Sequence, residues 1–160
     1  MLRASLLVAV AVAAVALAGC GGIKEKDVTK AQYEQQLQQI GDDLYRAANN
    51  LGQSTATGIF NANVQKLQDT IHDSADSLDA MRPPGVKAQA ANDDLIRAYR
   101  DLADQFDHVK DARRDSYPKA IAALLAVQHS EPATASIRAA ERLRKLGFRV
   151  PVSATIGSGT

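Results

Sequence analysis

The sequence predicts an all-α fold: an up-and-down antiparallel helical bundle of three long helices plus a broken C-terminal helical pair. Three observations carry that prediction. Apolar residues recur at steps of three and four along most of the chain, which places them on one face of a helix. Structure breakers fall between these stripes, at the Gly-, Ser- and Thr-rich stretch 49–58, at Pro83-Pro84, at Pro118 and at Pro132. No alternation with the period of two that marks a strand competes with them. Two striped helices cannot enclose a core, whereas four joined by short turns can.

The first helix is predicted to start at Thr29, whose hydroxyl suits the N-cap position. Tyr33, Leu37, Ile40, Leu44, Ala47 and Leu51 follow in alternating steps of four and three, while Gln35, Gln36, Gln38, Gln39, Asp42, Asp43 and Arg46 occupy the other faces. Gly41 costs a helix interior about 1 kcal/mol against Ala. It reads either as a close approach of another helix or as a tolerated defect. The turn expected over residues 49–58 leads to a second stripe of Phe60, Val64, Leu67, Ile71, Ala75, Leu78 and Met81. That helix must stop at Arg82-Pro83-Pro84-Gly85, because Pro-Pro removes two backbone donors and disfavours helix in the residue before it.

A third helix is predicted from Val86, with Ala88, Ala91, Leu95, Tyr99, Leu102, Phe106 and Val109 inward. Its solvent side carries Asp94, Arg97, Asp101, Asp104, Asp107 and Lys110. The pattern weakens at Asp115-Ser116-Tyr117-Pro118, where Pro118 kinks or restarts the helix, and Ile121, Leu124 and Leu125 continue an apolar face. The last helix is announced by Ser130 as N-cap and Pro132 in the first turn. Ala133, Ile137, Ala140, Leu143 and Leu146 are expected inward, and Gly147 closes the helix. Phe148 is expected to fold back on the bundle. The domain reading is therefore a bundle over residues 29–148 and a flexible C-terminal tail over 149–160.

The N-terminus reads differently. Arg3 precedes an unbroken apolar run from Leu6 to Leu17, which exits through Ala18 and Gly19. A positive start, a short apolar centre and a small-residue exit make a secretory signal peptide, and the run is short of the roughly 20 apolar residues of a membrane span. Leu17-Ala18-Gly19-Cys20 resembles the lipobox of bacterial lipoproteins. The resemblance implies removal of residues 1–19 and a diacylglyceryl group on the Cys20 thiol, with residues 20–28 as the lipidated cysteine and its flexible tether. Two acyl chains anchor stably where one binds only reversibly. Cys20 is also the single cysteine of the chain, so no intramolecular disulfide supports the fold.

Removing 19 of the 160 residues leaves 141, and the loss of Arg3 leaves 18 Lys and Arg against 18 Asp and Glu. Such a balance argues against nucleic acid as a partner, since its binders carry a clear basic excess. No Gly-rich phosphate loop, G-x-S-x-G, H-E-x-x-H or C-x-x-C pattern occurs. An acylated Cys20 has no thiolate with which to attack. No catalytic residue and no cofactor are expected. The candidate metal ligands are Asp104, His108 and Asp111, spaced along one face of the third helix, with Asp69, His72, Asp73 and Asp76 on its neighbour. They flank the apolar stripes and have Arg97, Arg100, Lys110, Arg113 and Arg114 close by, so the preferred reading is a solvated charge face. Asp42-Asp43 and Asp93-Asp94 diverge by about 100° on a helix and do not converge on one substrate atom. Arg138, Arg142, Arg144, Lys145 and Arg149 give the last helix a basic side. It either complements the helix dipole or touches lipid phosphate or an anionic wall polymer.

The body also resembles the small alanine-rich helical lipoproteins of actinobacteria, a group mostly of uncharacterised function. The matching pieces are Leu78-Asp79-Ala80-Met81-Arg82-Pro83-Pro84 and Leu143-Arg144-Lys145-Leu146-Gly147-Phe148. The chain departs from that pattern after Pro-Pro, where a His common in the group is absent from Ala88 to Asn92, so a shared metal role is not implied. The expectation is a non-catalytic lipoprotein held through acylated Cys20 in the cell membrane, on the extracytoplasmic face. Its helical module binds a protein partner or an envelope component. The alternatives are a metal- or small-ligand-binding accessory lipoprotein and an envelope hydrolase.

Overall fold

Thr29 starts the first helix with a reciprocal cap: its hydroxyl accepts from the Gln32 amide, and its own N–H donates to Gln32 Oε1 at 2.9 Å. From there the computed structural model, which describes residues 26–54 and 57–151, is all-α. Helix α1 spans Lys30–Gly52, α2 Thr57–Asp79, α3 Val86–Asp115, α4 Tyr117–Gln128 and α5 Glu131–Lys145. No described helix is long and apolar enough to cross a membrane. The expected signal peptide, Cys20, most of the expected tether and residues 152–160 lie outside the described residues.

Helix α3 is the axis, with α2, α4 and α5 packed on it and α1 packed on α2. Cross-helix bonds give the register. Gln68 Nε2 reaches the Ala103 carbonyl at 3.0 Å, and Arg100 pairs with Asp76 and Asp79 at 3.2 and 2.7 Å. Arg142 of α5 pairs with Asp94 of α3 at 2.7 Å. The expected stripes of α1 and α3 are buried throughout, from Tyr33 to Leu51 and from Ala88 to Val109, and so are those of α2 from Phe60 to Leu78. Each fully buried Leu or Phe contributes about 1.5–3 kcal/mol of transfer free energy.

The ends of the elements follow local chemistry. Ser116 is fully extended, at φ −167°, and accepts from the Lys119 amide, so it closes α3 and caps α4, with Pro118 in the first turn. Ser130 caps α5 in the same way. At the end of α5 the Gly147 amide donates to the Arg144 carbonyl and the Phe148 amide to the Leu143 carbonyl, a pairing that requires a left-handed residue between them. Gly147 supplies it, at φ +86°.

Four expectations change. The turn over 49–58 shrinks to the few residues between Gly52 and Thr57, because α1 continues to bury Leu51. Lys26–Asp27 forms a two-residue parallel pairing with Met81–Arg82, and the Val28 amide donates to the Arg82 carbonyl at 3.2 Å, so this part of the tether belongs to the packed body. The packed chain also passes residue 148. Phe148 meets the Tyr33 ring edge-on at 5.5 Å, Val150 is buried, and Arg144 holds the Val150 and Pro151 carbonyls at 3.1 Å each. Finally, Leu125 and Leu146 are 52% and 39% exposed, and Ile121, Leu124 and Ile137 are only half-buried. Leu146 is the C-cap, where the chain leaves the helical path, and α4 buries only Ala120 and Val127.

Candidate functional site

Helices α1 and α2 leave an open groove of about 450 Å³ along their shared edge. It exists because the facing positions are small. Ala47 of α1 and a column of Thr70, Ser74 and Ser77 on α2 line it, where longer apolar residues would fill the space. Gln36, Gln39 and Asn50 supply amides to the walls, and Asp43, Arg46, Lys66 and Asp73 supply charges of both signs. Arg46 pairs with Asp43 one turn before it.

Two hydroxyls of the column are committed to the backbone. Thr70 Oγ1 donates to the Lys66 carbonyl at 2.7 Å and Ser74 Oγ to the Thr70 carbonyl at 2.6 Å. With their protons bonded to carbonyls, these two hydroxyls offer acceptor lone pairs for recognition beside the amides of the walls. Thr70 and Ser74 lie four apart beside the Leu67–Ile71–Ala75–Leu78 stripe. That spacing of hydroxyl residues next to a core face was the signal in the sequence that could have located the groove.

Of the candidate metal ligands, Asp73 lines this groove and the others lie away from it. Asp104, His108 and Asp111 are all exposed, and Asp111 pairs with Arg114 at 3.0 Å. On α2, Asp69 accepts from Gln65, Asp76 is held by Arg100, and Asp73 faces the groove away from α3. Among the described residues no group of three His, Cys, Asp or Glu side chains is arranged to hold a metal ion. The paired acids also separate. Asp94 takes both Arg97 and Arg142, while Asp42 accepts from Gln38 and Asp43 from Arg46.

The basic side of α5 is largely engaged within the molecule. Arg138 pairs with Glu131, Arg142 with Asp94, and Arg144 binds two carbonyls of the following segment. Lys145 and Arg149 remain exposed. Elsewhere Lys110 bonds Asp107 at 2.7 Å, and that hydrogen bond, with Gln68, holds the Asp107 carboxyl below the usual carboxylate range.

The buried polar centre is structural. Tyr33 and Tyr99 are wholly enclosed, and burial pushes both phenols well above the ordinary tyrosine range; for Tyr33 the neighbouring Tyr99 and Asp93 add to it. Tyr33 donates to Asn92 Oδ1 at 2.7 Å, and Asn92 Nδ2 reaches the Leu78 carbonyl at 3.3 Å. No family model, curated protein or solved structure matches the chain.

Proposed function

We propose that the chain is a lipid-anchored, non-catalytic bacterial envelope protein. Its three long helices take an up-and-down course closed by the α4–α5 pair, as a scaffold that binds an extended polar segment of a protein partner or envelope polymer. The observation that carries the binding reading is the α1–α2 groove: open, walled by amides and by charges of both signs, with the Thr70 and Ser74 hydroxyl protons already bonded to the backbone. Such a surface suits ligands rich in hydrogen-bonding groups. The lipobox resemblance at Leu17–Cys20 supports the anchor.

A second reading places a protein partner on α4, where Leu125 is exposed beside half-buried Ile121 and Leu124. Photo-cross-linking residues introduced at Gln39, at Leu125 and, as a control on the opposite charge face, at Asp104 separate the two in intact cells. An adduct formed from Gln39 and not from Asp104 is the expected result. Adducts from Leu125 alone move the site to α4, and none from either position removes the binding reading.

A further inference from the structure

One end of the bundle gathers the N-terminus of α1, the Met81–Arg82 segment, the start of α3 and the end of α5. Their meeting is fixed by the Tyr33–Asn92 bond, the Tyr33–Phe148 ring contact and the Val28–Arg82 backbone bond. Among the described residues, this end leaves large apolar side chains exposed. Val86 is 81% exposed, the highest value among the large exposed apolar residues, and Leu146 is 39% exposed. Exposed Lys87, Lys145 and Arg149 lie on the same two elements or just beyond them. Of the acids nearby, Asp27 and Asp93 are exposed, Asp79 is paired with Arg100, and Glu34 is taken by Lys30 and the Arg149 amide.

We infer that this end is a docking surface for anionic lipid headgroups, with Val86 and Leu146 entering the interface and Lys87, Lys145 and Arg149 meeting the phosphates. The inference rests on the anchored reading proposed above. The length of chain supports it: Cys20 is six residues from Lys26, which is pinned at this end by its pairing with Met81. Six residues span at most about 20 Å. An acylated Cys20 therefore holds this end against the membrane, while the opposite end, near Ser54 and Tyr117, lies about 35 Å away along α1. Apolar side chains ringed by Lys and Arg suit the boundary between headgroups and acyl chains of an anionic leaflet.

The test uses the full-length protein purified from membranes, which has no native Trp. Single reporters Val86→Trp, Leu146→Trp and, as a distal control, Leu125→Trp are placed in vesicles of phosphatidylcholine with or without phosphatidylglycerol, containing brominated acyl chains. The expected result is a blue-shifted, bromine-quenched emission at 86 and 146 on the anionic vesicles. It is lost when Lys87, Lys145 and Arg149 are all changed to Gln, and it is absent at 125. Vesicle flotation and the intact mass are read on the same samples. Protein that floats with an acylated Cys20 but shows no quenching at 86 or 146 overturns the docking and leaves the anchor standing. An unmodified Cys20 and no flotation overturn both.

Discussion

The Tyr33 hydroxyl donates to Asn92 Oδ1 over 2.7 Å, joining α1 to α3 inside the core, and Asn92 passes the link on to the last turn of α2 through the Leu78 carbonyl. Three helices thus share one buried polar node. Removing one member leaves a buried polar atom of its neighbour without that partner, which costs about 1–3 kcal/mol. Tyr33→Phe is expected to lower the urea unfolding free energy by about that amount. Asn92→Ala should cost at least as much, since it orphans both the phenol and the carbonyl. Additive effects in the double variant would show that the bond does not couple the helices.

The two buried tyrosines set the alkaline limit of the fold. In the unfolded chain each phenol ionises near pH 10, while in the folded chain burial keeps both protonated to higher pH. The folded state therefore holds up to two more protons above pH 10. The tyrosine contribution to stability is constant below that pH and falls above it by as much as about 2.7 kcal/mol per pH unit. Unfolding curves from pH 8 to 12 check this, with a shallower decline expected for Tyr99→Phe. In acid the sign reverses for Asp107: its lowered pKa gives stability that is present above the ordinary carboxylate range and lost as pH falls through it.

The two glycines that follow or end helices predict opposite outcomes for the same substitution. Gly147 has open space around it, its nearest neighbour for an added Cβ being Lys30 Nζ at 3.7 Å, but its φ is +86°. Gly147→Ala should destabilise by about 1–2 kcal/mol through the backbone alone. Gly52 ends α1 with nothing within 4 Å of an added Cβ and no positive φ. Gly52→Ala should stabilise by about 0.4–1 kcal/mol. Thermal melts of the two variants moving in the same direction would contradict the backbone argument.

The uneven burial of leucines is equally measurable. Leu95 is fully enclosed, and Leu95→Ala should cost about 2–5 kcal/mol. Leu125→Gln, on the exposed side of α4, should leave the melting temperature within a degree or two, because little surface there leaves water on folding. A large loss at 125 would mean that α4 is covered in solution.

Most of the helical architecture was legible because burial along a helix repeats at 3.6 residues. Tyr33 to Leu51 and Ala88 to Val109 carry that period without a break, so their inward faces follow from spacing alone. The caps at Thr29 and Ser130 were readable for the same local reason. Features made by distant residues were not. The Lys26–Asp27 pairing with Met81–Arg82 is two residues long and too short to leave a period. Leu125 and Leu146 were read as inward because they are apolar, yet burial also needs a facing element, and spacing does not say where one stops. The groove escaped because Thr70 and Ser74 read as ordinary helix positions until α1 is brought alongside them.

The lipid on Cys20 is the claim on which location, orientation and docking all depend. The most direct measurement is the intact mass, with fragmentation of the N-terminal peptide, of the protein recovered from the membrane fraction of its native cells. The account predicts a chain that begins at Cys20 and carries a diacylglyceryl thioether. A chain that retains residues 1–19, or one that carries Cys20 as a free thiol, would contradict it.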